Sequence, residues 1–181
     1  DLFMNIHKKN PSSLLARKCI AAALSQLLKE KSFSSITVSE LTKKAGVSRM
    51  TYYRNYSSKE DIFEAYLEDA LIFYDKDIQA LPIKGNYYDV SNLTHYFTYV
   101  KKHHEFLDNL FKCGYGHLFL NAIDQYVMYR WKKEDDSLDH IYRLHAFSGA
   151  LYNSYIHWSL GGARESPEEM AKALRLVFAD T

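Results

Sequence analysis

Between Ile36 and Lys59 the residues run in an order that fits two short helices around a single glycine and little else. Thr37 and Glu40 have capping-box spacing, so a hydroxyl and a carboxylate can satisfy the first free amides of a helix. Leu41 and Ala45, four apart, give that helix an apolar face. Gly46 supplies the left-handed residue that ends it. Val47 is the apolar plug at the corner, and Ser48 can cap the helix that follows. That second helix carries Arg49, Thr51, Tyr53, Arg54 and Asn55, a density of hydrogen-bonding groups that packing alone does not need. A helix-turn-helix explains all these positions together.

The charge distribution points the same way. Formal net charge is only +1, but residues 1–60 hold eleven Lys or Arg against four Asp or Glu. The remaining residues hold twelve against eighteen. A basic head on an acidic body puts the phosphate-facing surface at the N-terminal end. At its length and 47% hydrophobic content the chain can bury a sizeable core. Two cysteines are too few for a disulfide framework, and Cys19 reads as a small core residue. No stretch approaches the ~20 apolar residues of a membrane span, and no signal-peptide pattern opens the chain. A cytoplasmic location is expected, and Met4 reads as the natural start, with Asp1-Leu2-Phe3 a remnant.

With 3 Pro, 7 Gly and no alternating run of Val, Ile and Thr, the expected fold class is all-α, with about nine helices. The first helix is expected at 12–31, after the arm His7-Lys8-Lys9-Asn10-Pro11. Ala16, Ile20, Ala23, Leu24 and Leu27 form its buried stripe. Ser57 and Glu60 have capping-box spacing and open a long helix ending at Pro82. Residues 83–91 read as a loop. Further helices follow at 92–102, 104–112, 117–133, 137–161 and 167–179, the last with Ser166 as cap and Pro167 in the first helical position. The expected division is a DNA-binding helix-turn-helix domain at 1–57 and a second helical domain at 58–181, to which the resemblance described next assigns effector binding and dimerisation.

Ala45-Gly46-Val47-Ser48, Thr51-Tyr52-Tyr53-Arg54-Asn55-Tyr56 and Ser58-Lys59-Glu60-Asp61-Ile62 resemble the DNA-binding signature of the tetracycline-repressor (TetR) family of bacterial transcription regulators. The resemblance covers about residues 12–65. The family usually has His-Phe where this chain has Asn55-Tyr56; Tyr56 keeps the aromatic plug, and Asn55 keeps a polar tip that does not titrate. The resemblance implies that Lys59, Tyr53, Thr37 and Ser39 hold phosphates of a double-stranded operator. Arg49, Met50 and Thr51 open the recognition helix, the part that enters the major groove. Arg49 suits a guanine edge, and Met50 or Thr51 a thymine methyl. Arg54 and Asn55 suit either task, and Ser48 is a further candidate contact besides being a cap. Lys43 and Lys44 lie near the backbone path or form a plain solvated face.

The resemblance also implies a homodimer and a small-molecule effector, with the regulator acting as a repressor. Phe147, Leu151, Tyr155, Trp158, Met170, Leu174, Val177 and Phe178 carry more apolar surface than two edge helices need. They are expected at a two-fold interface, the alternative being a monomer core. The body is rich in aromatics, which either fill a core or line a ligand space. Phe97, Phe106, Tyr126, Tyr129, His145 and Tyr152 are the candidate ligand contacts. The segment from Trp158 to Met170 also resembles a Gram-positive TetR subgroup that includes the activator of dihydroxyacetone kinase operons, which answers to a kinase-like protein partner. An activator controlled by a protein therefore stays open, as do a sequence-tolerant DNA binder without effector and a small helical enzyme. No cofactor or metal is expected. His103-His104, Cys113 and His117 match no established ligand spacing, and no nucleophile has an obvious base.

Overall fold

The structure, a computed structural model, describes residues 11–81 and 85–179. The expectations for Met4, the Lys8-Lys9 arm and the helix stop at Pro82 lie outside those residues. Nine α-helices and one short 3-10 turn, with no strand, make up the secondary structure of the described residues. They are α1 (Pro11–Leu28), α2 (Val38–Ala45), α3 (Arg49–Asn55), α4 (Asp61–Ala80) and α5 (Val90–Lys102), then α6 (His104–Lys112), α7 (Gly116–Trp131), α8 (Leu138–Leu160) and α9 (Pro167–Phe178). The 3-10 turn occupies Phe33–Ser35.

Their ends follow the local chemistry. Thr37 and Glu40 form the capping box at the start of α2, and the Lys31 ammonium with Thr37 holds the Glu40 carboxyl down at about 2. Gly46 closes α2 in the left-handed region at φ 69°, where a β-carbon would be strained by the backbone alone. Ser166 and Glu169 box the start of α9 with Pro167 in its first turn. One cap is displaced from its expected place. Ser58 and Asp61, not Ser57 and Glu60, open α4: the Asp61 amide donates to Ser58 Oγ, and Asp61 Oδ2 accepts from the Ser57 and Ser58 amides. The Ser58 hydroxyl, donating to Asp61 Oδ1, and those two amides keep the Asp61 carboxyl below the usual carboxylate range.

The chain forms two compact units. The first comprises residues 1–73 and 109–118; the second, 74–108 and 119–181. These bounds follow packing, whereas the expected division at 57/58 follows the motif. In the first unit α1 packs against α2 and α3. Ile20 and Leu24 of α1, Ile36, Leu41, Tyr52, Ile62 and Phe63 are wholly buried there. Arg17 is buried with them, its Nη2 donating to the Ala65 carbonyl of α4. Its Nε lies 2.8 Å from Asp69 Oδ2, though its N–H is not aligned for a hydrogen bond. Tyr115, from the α6–α7 turn, stacks on Phe63 at 5.2 Å and meets the edge of Phe33 at 5.8 Å. Its hydroxyl donates to Glu60 Oε1.

In the second unit α5 packs against α9. Phe97 lies edge-on to Trp158, and Phe147 lies between Tyr87 and Phe178. Tyr155 donates to Asp108 and stands edge-on to Phe119. The Tyr96 hydroxyl donates to the Leu151 carbonyl, and Trp158 Nε1 to that of Glu165.

Candidate nucleic-acid interface

The helix α3 has two unlike faces. Tyr52 and, just past the end, Tyr56 are buried, and their rings lie 5.3 Å apart. Burial pushes the Tyr52 phenol up to about 12, so both tyrosines serve as neutral plugs, as expected. The other face is open: Met50 is 73% and Tyr53 60% exposed, and Arg49 and Arg54 are exposed with them. Ser48 Oγ accepts from the Thr51 amide and is 2.9 Å from the Thr51 hydroxyl, so the N-cap is made as expected.

The basic groups of the head are not equally available. Lys31 pairs with Glu40, and Lys44 with Glu30 at 3.0 Å. Arg49, Arg54 and Lys43 are exposed, with no side-chain partner among the described residues. These three, with Met50, Tyr53 and Ser39, are exposed to a polyanion, whereas the Thr37 hydroxyl donates to Glu40 Oε2 and accepts from the Glu40 amide. A surface of unpaired cations around a protruding helix suits a duplex, whose phosphates take cations and whose major groove admits a helix.

Two further expected contacts are otherwise engaged. Lys59 Nζ donates to the Ile36 carbonyl at 2.6 Å and the Phe33 carbonyl at 3.0 Å, and lies over the Phe33 ring. A lysine has three N–H groups, and the Ser34 carbonyl at 3.5 Å lies near the third. Lys59 therefore ties the 3-10 turn to the start of α4. Replacing Lys59 by Ala is expected to destabilise the chain by ~1–3 kcal/mol and leave the salt dependence of DNA binding unchanged. A salt slope lower by about one, from a titration across ionic strengths, would return Lys59 to a phosphate. Asn55 is the other: its amide is held inside the protein by Ser13 Oγ at 2.6 Å and the Thr51 carbonyl at 2.8 Å.

The expected dimer residues are mostly consumed within the second unit. Phe147, Leu151, Tyr155, Trp158, Leu174 and Phe178 are buried in the single chain, and Met170 is half-buried; only Val177 stands out, at 71% exposure. The opposite stripe of α8 is Tyr142, Ala146, Gly149, Asn153, Ile156 and Leu160, and that of α9 is Ala173, Leu176 and Val177. Leu160 and Leu176 are each 81% exposed, and a β-carbon built at Gly149 would meet nothing within 4 Å. Both faces of α8 are apolar enough for a core, so composition alone did not say which faced inward.

The expected ligand contacts also divide. Phe97, Phe106 and Tyr126 are buried, and Tyr126 donates to Asp75 Oδ1. Tyr152 is half-buried against Phe119. Tyr129 is exposed, and His145 pairs with Asp124 at 2.8 Å on the surface. Tyr129 and His145 fall off the buried stripes of α7 and α8. Thr94 and His95 went unnoticed in the sequence: Thr94 Oγ1 and His95 Nε2 are buried without a hydrogen-bond partner among the described residues. His95 lies 4.8 Å from the Tyr74 ring, itself edge-on to Tyr99 and Tyr126. Burial lowers the His95 pKa, favouring a neutral imidazole that can donate or accept.

A helical head with a capped, cation-bearing second helix and a separate helical body defines a helix-turn-helix regulator of transcription. Comparison with known proteins gives the family: the chain belongs to the TetR family. "Bacterial regulatory proteins, tetR family" matches residues 20–66, and "Transcriptional regulator C-terminal region" matches residues 91–180. The HTH-type dhaKLM operon transcriptional activator DhaS of Lactococcus lactis subsp. lactis (strain IL1403) is 24% identical over 140 residues, spanning 74% of this chain and 70% of the relative. Lin0861 from Listeria innocua, a crystal structure, has the same fold with a TM-score of 0.77 at 11% identity, over 94% of this chain and 92% of that one. The fatty acid degradation regulator FadR from Bacillus halodurans aligns at 0.59 and 16% identity, over 94% and 95%. Among the described residues no helix is long and apolar enough to cross a membrane, and no group of His, Cys, Asp and Glu is arranged to hold a metal.

Proposed function

We propose that the chain is a homodimeric repressor that reads a near-palindromic operator with α3 and is released by a small molecule bound in its second unit. The observation that carries the DNA reading is the exposed face of α3, where Arg49, Met50, Tyr53 and Arg54 stand clear of the protein. In a two-fold dimer the two α3 helices would enter major grooves one turn apart, ~34–36 Å, or a multiple of that. The exposed stripe of α8 and α9 supports the dimer. For the effector, Thr94 and His95 support a molecule with a hydrogen-bonding group among the Tyr74, Tyr99 and Tyr126 rings. Such a ligand acts only through a difference in affinity between DNA-competent and DNA-incompetent arrangements.

Arg49→Ala tests the DNA reading. The expected loss is ~1–3 kcal/mol on a duplex selected by the wild-type protein from a randomised pool, with little change on random DNA. Equal losses on both would make Arg49 a backbone contact only. DhaS is by its name an activator, which favours a second reading with the opposite sign. A reporter behind the selected duplex separates the two: expression rises on deleting a repressor and falls on deleting an activator.

A further inference from the structure

Asn55 is the last residue of α3, and both ends of its amide are occupied. The Thr51 carbonyl can only accept, so the atom 2.8 Å from it is the Nδ2 donor. That orientation fixes Oδ1 on the other side, where it accepts from Ser13 Oγ at 2.6 Å. Ser13 lies in the first turn of α1, and Arg17 lies one turn further along the same face. Arg17 is fixed to α4 through the Ala65 carbonyl and Asp69. The first two turns of α1 therefore hold α4 with one side chain and the end of α3 with another. At the other end of α3 Ser48 caps the Thr51 amide, Tyr52 plugs the core without a polar tie among the described residues, and the outer face is solvent-exposed. A seven-residue helix is too short to keep its own orientation. Among the described residues, the Ser13–Asn55 hydrogen bond is the only side-chain polar tie from α1 to α3.

We propose that Asn55 is a positioning residue for the recognition helix, latched from α1 by Ser13, and not a contact to the duplex. This rests on the reading of α3 as the DNA-reading element. The latch sets the angle at which Arg49, Met50 and Arg54 meet base edges, so it bears on sequence discrimination and not on phosphate count. A neutral amide on a phosphate adds affinity for any sequence, whereas correctly aimed base contacts add specificity. The two roles for Asn55 therefore leave different signatures.

The full-length protein is tested on the selected duplex and on a random duplex of equal length, across a range of salt concentrations. Ser13→Ala and Asn55→Ala are each expected to weaken binding to the selected duplex by about 3- to 10-fold, the worth of one such hydrogen bond. Random-duplex affinity and the salt slope should stay unchanged for both. The double variant should lose no more than either single one, because both remove the same tie. Ser13→Thr keeps the hydroxyl and should keep selectivity. Alanine is a strong helix former, so Ser13→Ala folds, and a melting curve checks this. Additive losses in the double variant, or equal losses on both duplexes, would each overturn the latch. Arg49→Ala is measured alongside. If it has no effect on selectivity, the reading of α3 falls and the latch with it; if it acts and Ser13→Ala does not, the latch alone falls.

Discussion

Replacing Arg17 by methionine is expected to lower stability by ~3–5 kcal/mol, the usual cost of removing one partner from a buried ion pair. Methionine fills much of the same volume, so the loss is electrostatic and not a cavity. Asp69, 16% exposed, would lose the guanidinium 2.8 Å from it, and the Ala65 carbonyl its donor. A half-dehydrated carboxylate is costly when its cation is removed. The measurement is a urea midpoint on the full chain, with the slope checked for constancy. Adding Asp69→Asn to Arg17→Met should recover a large part of the loss, because the uncompensated charge goes with the carboxylate. If the double variant is as unstable as the single, the effect comes from lost packing of the Arg17 stem and the ion pair contributes little.

Charging the outer stripe of α8 and α9 is expected to separate the proposed dimer without unfolding the chain. Leu160→Glu with Leu176→Glu is the sharper test, since each side chain is 81% exposed and supports nothing in its own unit. Large exposed apolar residues in a contiguous stripe mark an interaction surface, and two carboxylates from each protomer would be buried there unpaired. The expected mass by sedimentation equilibrium is that of one chain, with an unchanged melting temperature of the isolated subunit. Binding to a two-half-site duplex should weaken by about 10²–10⁴-fold, because the second head no longer binds as an intramolecular event. A retained dimer would move the interface elsewhere. Phe147→Ala, by contrast, is a core truncation between Tyr87 and Phe178, and it reports on stability before assembly.

Much of the head was legible in the sequence because its signals are local. The Thr37–Glu40 box, the left-handed Gly46, the Ser48 cap and the buried Tyr52 and Tyr56 all depend on neighbours within a few residues. Where local signals overlapped, reading them failed. Ser57 with Glu60 and Ser58 with Asp61 share the same spacing, and only the folded turn selects the second pair. Lys59 shows the other limit: its carbonyl partners lie more than twenty residues earlier, where no spacing rule reaches. Ser13, distant from Asn55 in the chain, is of the same kind. In the body, periodicity located the helices but not their inward faces, since α8 carries Phe147 and Trp158 on one side and Tyr142 and Leu160 on the other.

The place of Tyr115 has a consequence for protein engineering. The DNA-reading unit is not one uninterrupted stretch of chain: its aromatic cluster is completed by a residue from the turn between α6 and α7. A chimera that grafts this head onto another regulator by joining at residue 73 would remove the ring packed on Phe33 and Phe63 and the phenol bonded to Glu60. A working graft must transplant residues 109–118 as well, or supply an aromatic from the recipient at the same turn. Swapping specificities between such regulators is therefore a two-segment exchange.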